Sequence, residues 1–283
     1  MPFLVKNNMK LKCATRTIDL STPKVMGIIN ATPDSFSDGG FNLNAEKAVE
    51  SALQMVKDGA DIIDIGGESS RPGADNVSVE EELNRVIPVI KILRSSSTIP
   101  ISIDTVKPEV MKAAVEAGAD IINDISALSA PGAINVVLQT GAAVCLMHMQ
   151  GKPHTMQDNP VYSDVTGDVI HYLQQRVEFC MKSGIGANQI ILDPGFGFGK
   201  TVEHNYHLFA KLESIVDLGY PVLVGVSRKS MIGNVLDKPV QQRGAGGLAL
   251  AAIAVKMGAK IIRAHDVVHT ADVCKVILEL MKY

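Results

Sequence analysis

The sequence predicts an α/β fold of the (β/α)8 TIM-barrel class, with a short N-terminal hairpin covering the bottom of the barrel. Three observations predict it. One device recurs at Gly59-Ala60-Asp61-Ile62-Ile63-Asp64, Gly118-Ala119-Asp120-Ile121-Ile122-Asn123-Asp124 and Gly258-Ala259-Lys260-Ile261-Ile262-Arg263. Each copy follows a helical pattern. Its Gly suits a left-handed helix C-cap, its isoleucine pair starts a buried strand, and its tip is polar or charged. The second observation is that eight strand-like runs alternate with amphipathic stretches. The third is that eight such units in about 250 residues are what this barrel requires. An open doubly wound sheet is the runner-up architecture.

In chain order, Leu11–Leu20 alternates weakly and reads as the hairpin. The strand-like runs are Val25–Asn30, Asp61–Ile65, Pro100–Asp104, Asp120–Ile125, Ala143–His148, Gln189–Asp193, Val222–Val226 and Lys260–Arg263. Ser78-Val79-Glu80-Glu81 reads as a capping box. Thr105 before Pro108, and Ser129 before Pro131, read as further helix starts. The connections 31–43 and 66–77 are long and Gly-rich, and such loops in compact domains are usually functional. No linker or composition break interrupts residues 1–283, so one domain is expected.

Composition removes several function classes. The net charge of −3 without a basic block disfavours nucleic acid, and the absence of Trp removes the best base-stacking surface. No apolar run approaches the roughly 20 residues of a membrane span, and Met1–Lys12 has no signal-peptide core. A cytoplasmic protein without membrane or nucleic-acid partners is expected. Cys13, Cys145, Cys180 and Cys274 are far apart and read as reduced structural thiols.

The polar residues ending the strands carry the functional signal. They are Asn30; Asp64 and Glu68; Asp104; Asn123 and Asp124; His148; Asp193; Ser227, Arg228 and Lys229; and Arg263 and His265. A lone Asp at a strand end is more often a helix cap or turn former than a catalyst. Here every strand ends this way and both charge signs occur. In a barrel these tips meet at one mouth, which favours a ligand with hydrogen-bonding edges and an anionic part.

Met26-Gly27-Ile28-Ile29-Asn30-Ala31-Thr32-Pro33-Asp34-Ser35-Phe36-Ser37-Asp38-Gly39-Gly40 resembles the first-loop signature of the dihydropteroate synthase family. Gly66-Gly67-Glu68-Ser69-Ser70-Arg71-Pro72-Gly73-Ala74 is similar to its second-loop signature. The resemblance continues through Asp104, Asn123, Met147-His148-Met149-Gln150-Gly151, Asp193-Pro194-Gly195-Phe196-Gly197-Phe198-Gly199-Lys200, Ser227-Arg228-Lys229-Ser230 and Arg263-Ala264-His265-Asp266. It implies a TIM barrel that condenses 6-hydroxymethyl-7,8-dihydropterin pyrophosphate with p-aminobenzoate to give 7,8-dihydropteroate and pyrophosphate. It further implies a folate-pathway transferase, a sulfonamide target and a homodimer.

The resemblance also distributes roles. Asp104, Asn123, Met147, Asp193, Lys229 and Arg263 match the pterin positions. Asp193 can accept two charge-assisted bonds from a pterin edge, each worth about 1.5–3 kcal/mol. Lys229 can donate to the ring carbonyl, and Arg263 matches a guanidinium that stacks on the ring. Asn30, Ser70, Arg71, Arg263 and His265 match the pyrophosphate positions, with Mg2+ at Asn30. Phe36, Ser70, Arg71, Pro72, Phe198 and Ser230 frame p-aminobenzoate. The catalytic expectation falls on Asp38, Arg71, Lys229, Arg263 and His265, along an SN1-like path in which Asp34 or Asp38 faces the developing cation. The Gly195–Lys200 run is not a Walker A loop, because its glycine spacing is wrong.

Two departures stand out: Ser70 where Thr is usual, and Gly247 where a hydroxyl residue is common. The alternatives are a related pterin-binding barrel that transfers a methyl group from methyltetrahydrofolate, and a non-catalytic pterin-binding paralogue.

Overall fold

Each β-branched run becomes a strand of one closed parallel sheet in the computed structural model, which describes residues 9–31, 41–69 and 76–283. Antiparallel β1 (Lys10–Lys12) and β2 (Thr17–Asp19) form the N-terminal hairpin. The parallel strands are β3 (Lys24–Asn30), β4 (Ile62–Gly66), β5 (Ile101–Asp104), β6 (Ile121–Asp124), β7 (Ala143–Met147), β8 (Ile190–Asp193), β9 (Leu223–Val224) and β10 (Ile261–Ala264). They run β8-β7-β6-β5-β4-β3-β10-β9, and a parallel bridge from Leu192 to Val222 joins the two end strands. The sheet is therefore a barrel, not the open sheet of the runner-up.

Helices return the chain outside it: α1 (Phe41–Lys57), α2 (Val79–Ser96), α3 (Pro108–Ala117), α4 (Ala133–Thr140), α5 (Val165–Lys182), α6 (Val202–Ala210), α7 (Leu212–Val216), α8 (Ser230–Leu236), α9 (Gly244–Lys256) and α10 (Val267–Leu280). The recurring glycines do what the repeat requires. Gly59, Gly118 and Gly258 have φ of 103°, 118° and 99°, where a side chain would be strained.

Strand alternation sorts the side chains. Ile63, Ile65, Ile103, Ile122, Val144, Leu192 and Ile262 face outward into the helix-covered core. Met26, Ile62, Ile121, Ala143, Ile191, Leu223 and Ile261 face inward and form a separate cluster with Leu11, Cys13, Ile18 and Leu20 of the hairpin region. Those inward residues lie toward the starts of their strands, so the hairpin plugs the bottom of the barrel. Continuing the same alternation upward brings Asn30, Asp64, Asp104, Asn123, Met147, Asp193 and Arg263 inside.

Three helix starts differ from expectation. Ser78 does accept from the Glu81 N–H at 3.1 Å, but the Glu81 carboxylate pairs with Arg85 one turn on, not with the cap. Pro108 fixes the first turn of α3, and the residue before it, Lys107, is the cap, while Thr105 accepts from the Lys107 N–H. Helix α4 starts after left-handed Gly132, and the Ser129 hydroxyl bonds back to Ser126. At Thr105 and Ser129 the hydroxyl closes a local turn first. All four cysteines are buried and free.

Asp120 anchors the bottom. Its carboxylate accepts from Arg16 Nε at 2.8 Å, Arg94 Nη2 at 2.7 Å and the Ile101 N–H at 3.0 Å. One side chain thereby joins the hairpin turn, α2, β5 and the start of β6. Removing one partner of a buried ionic network costs about 3–5 kcal/mol, less where the arginines are partly exposed. We expect Asp120→Ala to lower the unfolding free energy by about 3 kcal/mol, read from urea denaturation.

Candidate active site

A cavity of about 690 Å³ opens at the carboxyl ends of the strands. The β3 tip supplies Ile28 and Asn30, the chain after β4 supplies Glu68 and Ser69, and β5 supplies Asp104. Gly197 and Phe198 come from the β8–α6 connection, Ser227, Arg228, Lys229 and Ser230 from the segment after β9, Arg263 from β10 and His265 from just beyond it. Asn123, Met147 and Asp193 are buried in the same inward set but are not part of the wall.

The centre is a partly buried charge cluster built on the fully buried Asp64. Arg263 Nε donates to Asp64 Oδ2 at 2.6 Å, and its Nη2 donates to Asp104 Oδ2 at 2.8 Å. Asn123 Nδ2 donates to the same Asp64 oxygen at 3.2 Å. Burial raises the Asp104 carboxyl to about 7; Arg263 opposes the rise, and Asp64 and Glu82 add to it. Burial also lowers the Lys229 ammonium to about 8, against the attraction of Asp193. Burial raises Asp193, while Lys229 and the Gly195 N–H pull it back. For Arg263, burial favours the neutral form, but Asp64 and Asp104 outweigh it and hold the guanidinium charged.

The loops arm this cluster. The Gly195 N–H donates to Asp193 Oδ1 at 2.7 Å. Gly195 has φ of 68°, and an added Cβ would lie 1.8 Å from the His148 carbonyl oxygen, so only Gly permits this approach. Lys229 Nζ donates to the Phe196 carbonyl and lies 4.5 Å above the Phe198 ring. His265 Nδ1 is 3.0 Å from Ser227 Oγ. Glu68 pairs with Lys107, which also binds Glu82 at 2.5 Å, and accepts from the Val77 N–H at 3.0 Å.

The expected residues therefore divide. Asn30, Asp104, Phe198, Lys229, Ser230, Arg263 and His265 share the cavity wall. Phe36, Asp38, Ser70, Arg71 and Pro72 lie outside the described residues. Asp124 does not join the mouth: it faces outward and accepts from the Ser126 and Leu128 N–H groups. His148 also turns away, its Nδ1 3.0 Å from Lys200 Nζ. Phe196 is core, fully buried against Phe209, and only Phe198 reaches the cavity.

Sequence reasoning assigned no ligand-positioning task to Asp64, although it is the fixed partner of Arg263. It also missed Met156 and Gln157, which wall the cavity from the β7–α5 connection. Residues 148–164 form a third long connection, and that length was the available signal. Among the described residues no cluster of three or more His, Cys, Asp or Glu side chains is arranged to hold a metal ion, and no helix is long and apolar enough to cross a membrane.

Comparison with known proteins decides the family. The model of the pterin binding enzyme family matches residues 26–265. A dihydropteroate synthase of Haemophilus influenzae is 52% identical over 95% of this chain and 98% of its own length. That of Escherichia coli K12 is 51% identical over 95% of both. The chain belongs to the dihydropteroate synthase family. The Yersinia pestis dihydropteroate synthase in a sulfonamide drug complex superposes with a TM-score of 0.92 at 48% identity, covering 97% of this chain and 100% of that one. The Xanthomonas albilineans synthase in complex with 7,8-dihydropteroate superposes at 0.88 with 44% identity, covering 97% and 99%.

Asp64→Ala leaves the Arg263 guanidinium with Asp104 alone. We expect a loss of about 3 kcal/mol in unfolding free energy, with a smaller loss for Asp64→Asn, which keeps an acceptor for Nε. Paired urea titrations of the two variants check this.

Proposed function

We propose that this cavity condenses 6-hydroxymethyl-7,8-dihydropterin pyrophosphate with p-aminobenzoate, giving 7,8-dihydropteroate and pyrophosphate. The chain is a transferase of folate biosynthesis, and the observation that carries this is identity near 50% with dihydropteroate synthases along the whole barrel. The Arg263 guanidinium and the His265 imidazole, in the same wall as Asn30, support a pyrophosphate substrate over methyl transfer from methyltetrahydrofolate. They also support turnover over a purely binding paralogue.

In this reading the pterin edge passes Asp104 in the wall to reach Asn123 and Asp193, which lie buried behind it, with Met147 below the ring. Asp193 accepts from the amino and ring N–H groups. Lys229 donates to the ring carbonyl, and Arg263, already held flat by two carboxylates, stacks on the ring. Phe198 and Ser230 line the amine pocket, with Phe36, Ser70, Arg71 and Pro72 completing it from the two signature loops.

The carbon–oxygen bond at the pterin methylene breaks first, leaving a pterin-stabilised cation, and pyrophosphate departs with the electron pair. The neutral arylamine attacks through its lone pair and then loses a proton, so no strong base is needed beforehand. Arg71, Arg263 and His265 stabilise the departing charge, and Asp38 faces the cation. Electrostatic preorganisation and alignment are the main contributions.

The donor set fits Mg2+: Asn30 offers one exposed amide oxygen in the cavity wall. A hard cation that keeps water and phosphate oxygens needs few protein ligands. When bound, it neutralises charge on the pyrophosphate. The same reading includes one domain, a homodimer and a cytoplasmic location.

The test is pyrophosphate release by purified protein with Mg2+ and the pterin substrate, with and without p-aminobenzoate. Release that requires the amine, with an equal amount of dihydropteroate, is expected. Tight pterin binding without dihydropteroate overturns the synthase reading.

Lys229 adds a pH dependence. Its ammonium is charged below about 8 and loses its proton above. Pterin affinity is expected to fall as pH rises past about 8 in calorimetric titrations, and Lys229→Met should bind more weakly and lack this fall.

A further inference from the structure

Lys200 is a buried cation that the mechanism above does not use. It is only 3% exposed, and its Nζ lies 2.9 Å from the Gly195 carbonyl oxygen, 3.1 Å from that of Phe198 and 3.0 Å from His148 Nδ1. An ammonium has three protons and no lone pair; these three acceptors are the nearest, with the His148 carbonyl oxygen farther off at 3.5 Å. All three are neutral groups; burial lowers the Lys200 ammonium to about 7, and the Asp193 carboxylate pulls it back up. Burying a charge among neutral partners is costly, and a methionine would fill the same space without that cost.

What the charge holds is the loop between β8 and α6. Its five carbonyls from Gly195 to Gly199 all accept from side chains. Lys200 takes those of Gly195 and Phe198, and Lys229 takes that of Phe196. Gln157 donates to Gly197 at 2.7 Å, and the Tyr162 hydroxyl donates to Gly199 at 2.7 Å. Asn205 secures the rest, accepting from the Gly197 N–H at 2.7 Å and donating to the Lys200 carbonyl at 3.2 Å. The Phe198 N–H closes the Gly195–Phe198 turn on the Gly195 carbonyl at 3.1 Å; Lys200 is the side chain that clasps both ends of that turn and ties it to His148, just past the end of β7. The His148 ring is in turn packed edge-on against Tyr172, 5.0 Å between centroids.

We propose that Lys200 is a positioning residue: it sets the place of the Phe198 ring in the cavity and thereby the fit of the amine substrate. This rests on the reading that Phe198 frames p-aminobenzoate. If Lys200 donates to His148 Nδ1, the imidazole proton must sit on Nε2.

The test compares Lys200→Met and Phe198→Ala with the parent protein, by steady-state kinetics in both substrates and by thermal unfolding. Lys200→Met is expected to raise KM for p-aminobenzoate at least tenfold while the dissociation constant of the pterin substrate changes less than threefold. A merely structural role would lower the active fraction and leave both constants unchanged, which overturns the proposal. If Phe198→Ala leaves the amine KM unaltered, the role given to Phe198 falls; if it raises that KM and Lys200→Met does not, only the Lys200 proposal falls. Should Lys200→Met not fold, nitrogen NMR of His148 in the parent protein decides. A bare Nδ1 with a protonated Nε2 supports the proposal, and a protonated Nδ1 overturns it.

Discussion

The mouth of this barrel depends on burying Arg263 between Asp64 and Asp104. A guanidinium taken out of water needs partners of fixed geometry, and its planar fork meets two carboxylates at once. The three side chains come from β10, β4 and β5, so the pair of contacts also ties the tips of strands far apart in sequence. Everything else in the mouth is arranged around that charge. Asn123 shares the Asp64 oxygen, and Asp193 and Lys229 balance each other across the next strands.

The two ends of the barrel solve different problems. At the bottom, the hairpin supplies apolar side chains and Asp120 gathers two arginines, so stability is concentrated away from the ligand end. At the top, charged and glycine-rich segments are held by directed hydrogen bonds, because there is too little apolar surface to hold them by packing. The Gly195–Gly199 turn is the extreme case: its backbone is fixed by side chains from three different segments.

The fold was legible because it rests on local signals. Isoleucine pairs, capping glycines and polar tips each belong to one stretch of chain, and period-two alternation then decides which tips face inward. Asp104, Asp193, Lys229 and Arg263 were picked out as polar residues following apolar runs, and family resemblance supplied the roles expected of them. Asp64 was seen as a tip, but its task depends on Arg263, and no local pattern links them. Lys200 and His148 were equally hidden, since their bond spans two connections. The left-handed glycines at 195 and 197 turn Phe196 into the core and Phe198 toward the cavity, a separation sequence alone did not make. The helix starts at Thr105 and Ser129 were misread because a hydroxyl that can cap a helix can also close the turn before it.

The barrel is closed unevenly. Seven neighbouring pairs share ladders, but β8 meets its last neighbour through a single bridge at Val222, preceded by the Leu192 N–H bond to the Pro221 carbonyl. Pro221 has no N–H of its own to extend that ladder, and β9 has only two residues. The cylinder therefore has a seam, and Asp193 and Lys229 stand on its two lips. A ligand bonded to both would bridge that seam from the inside, across the line of the wall that the backbone leaves thinnest.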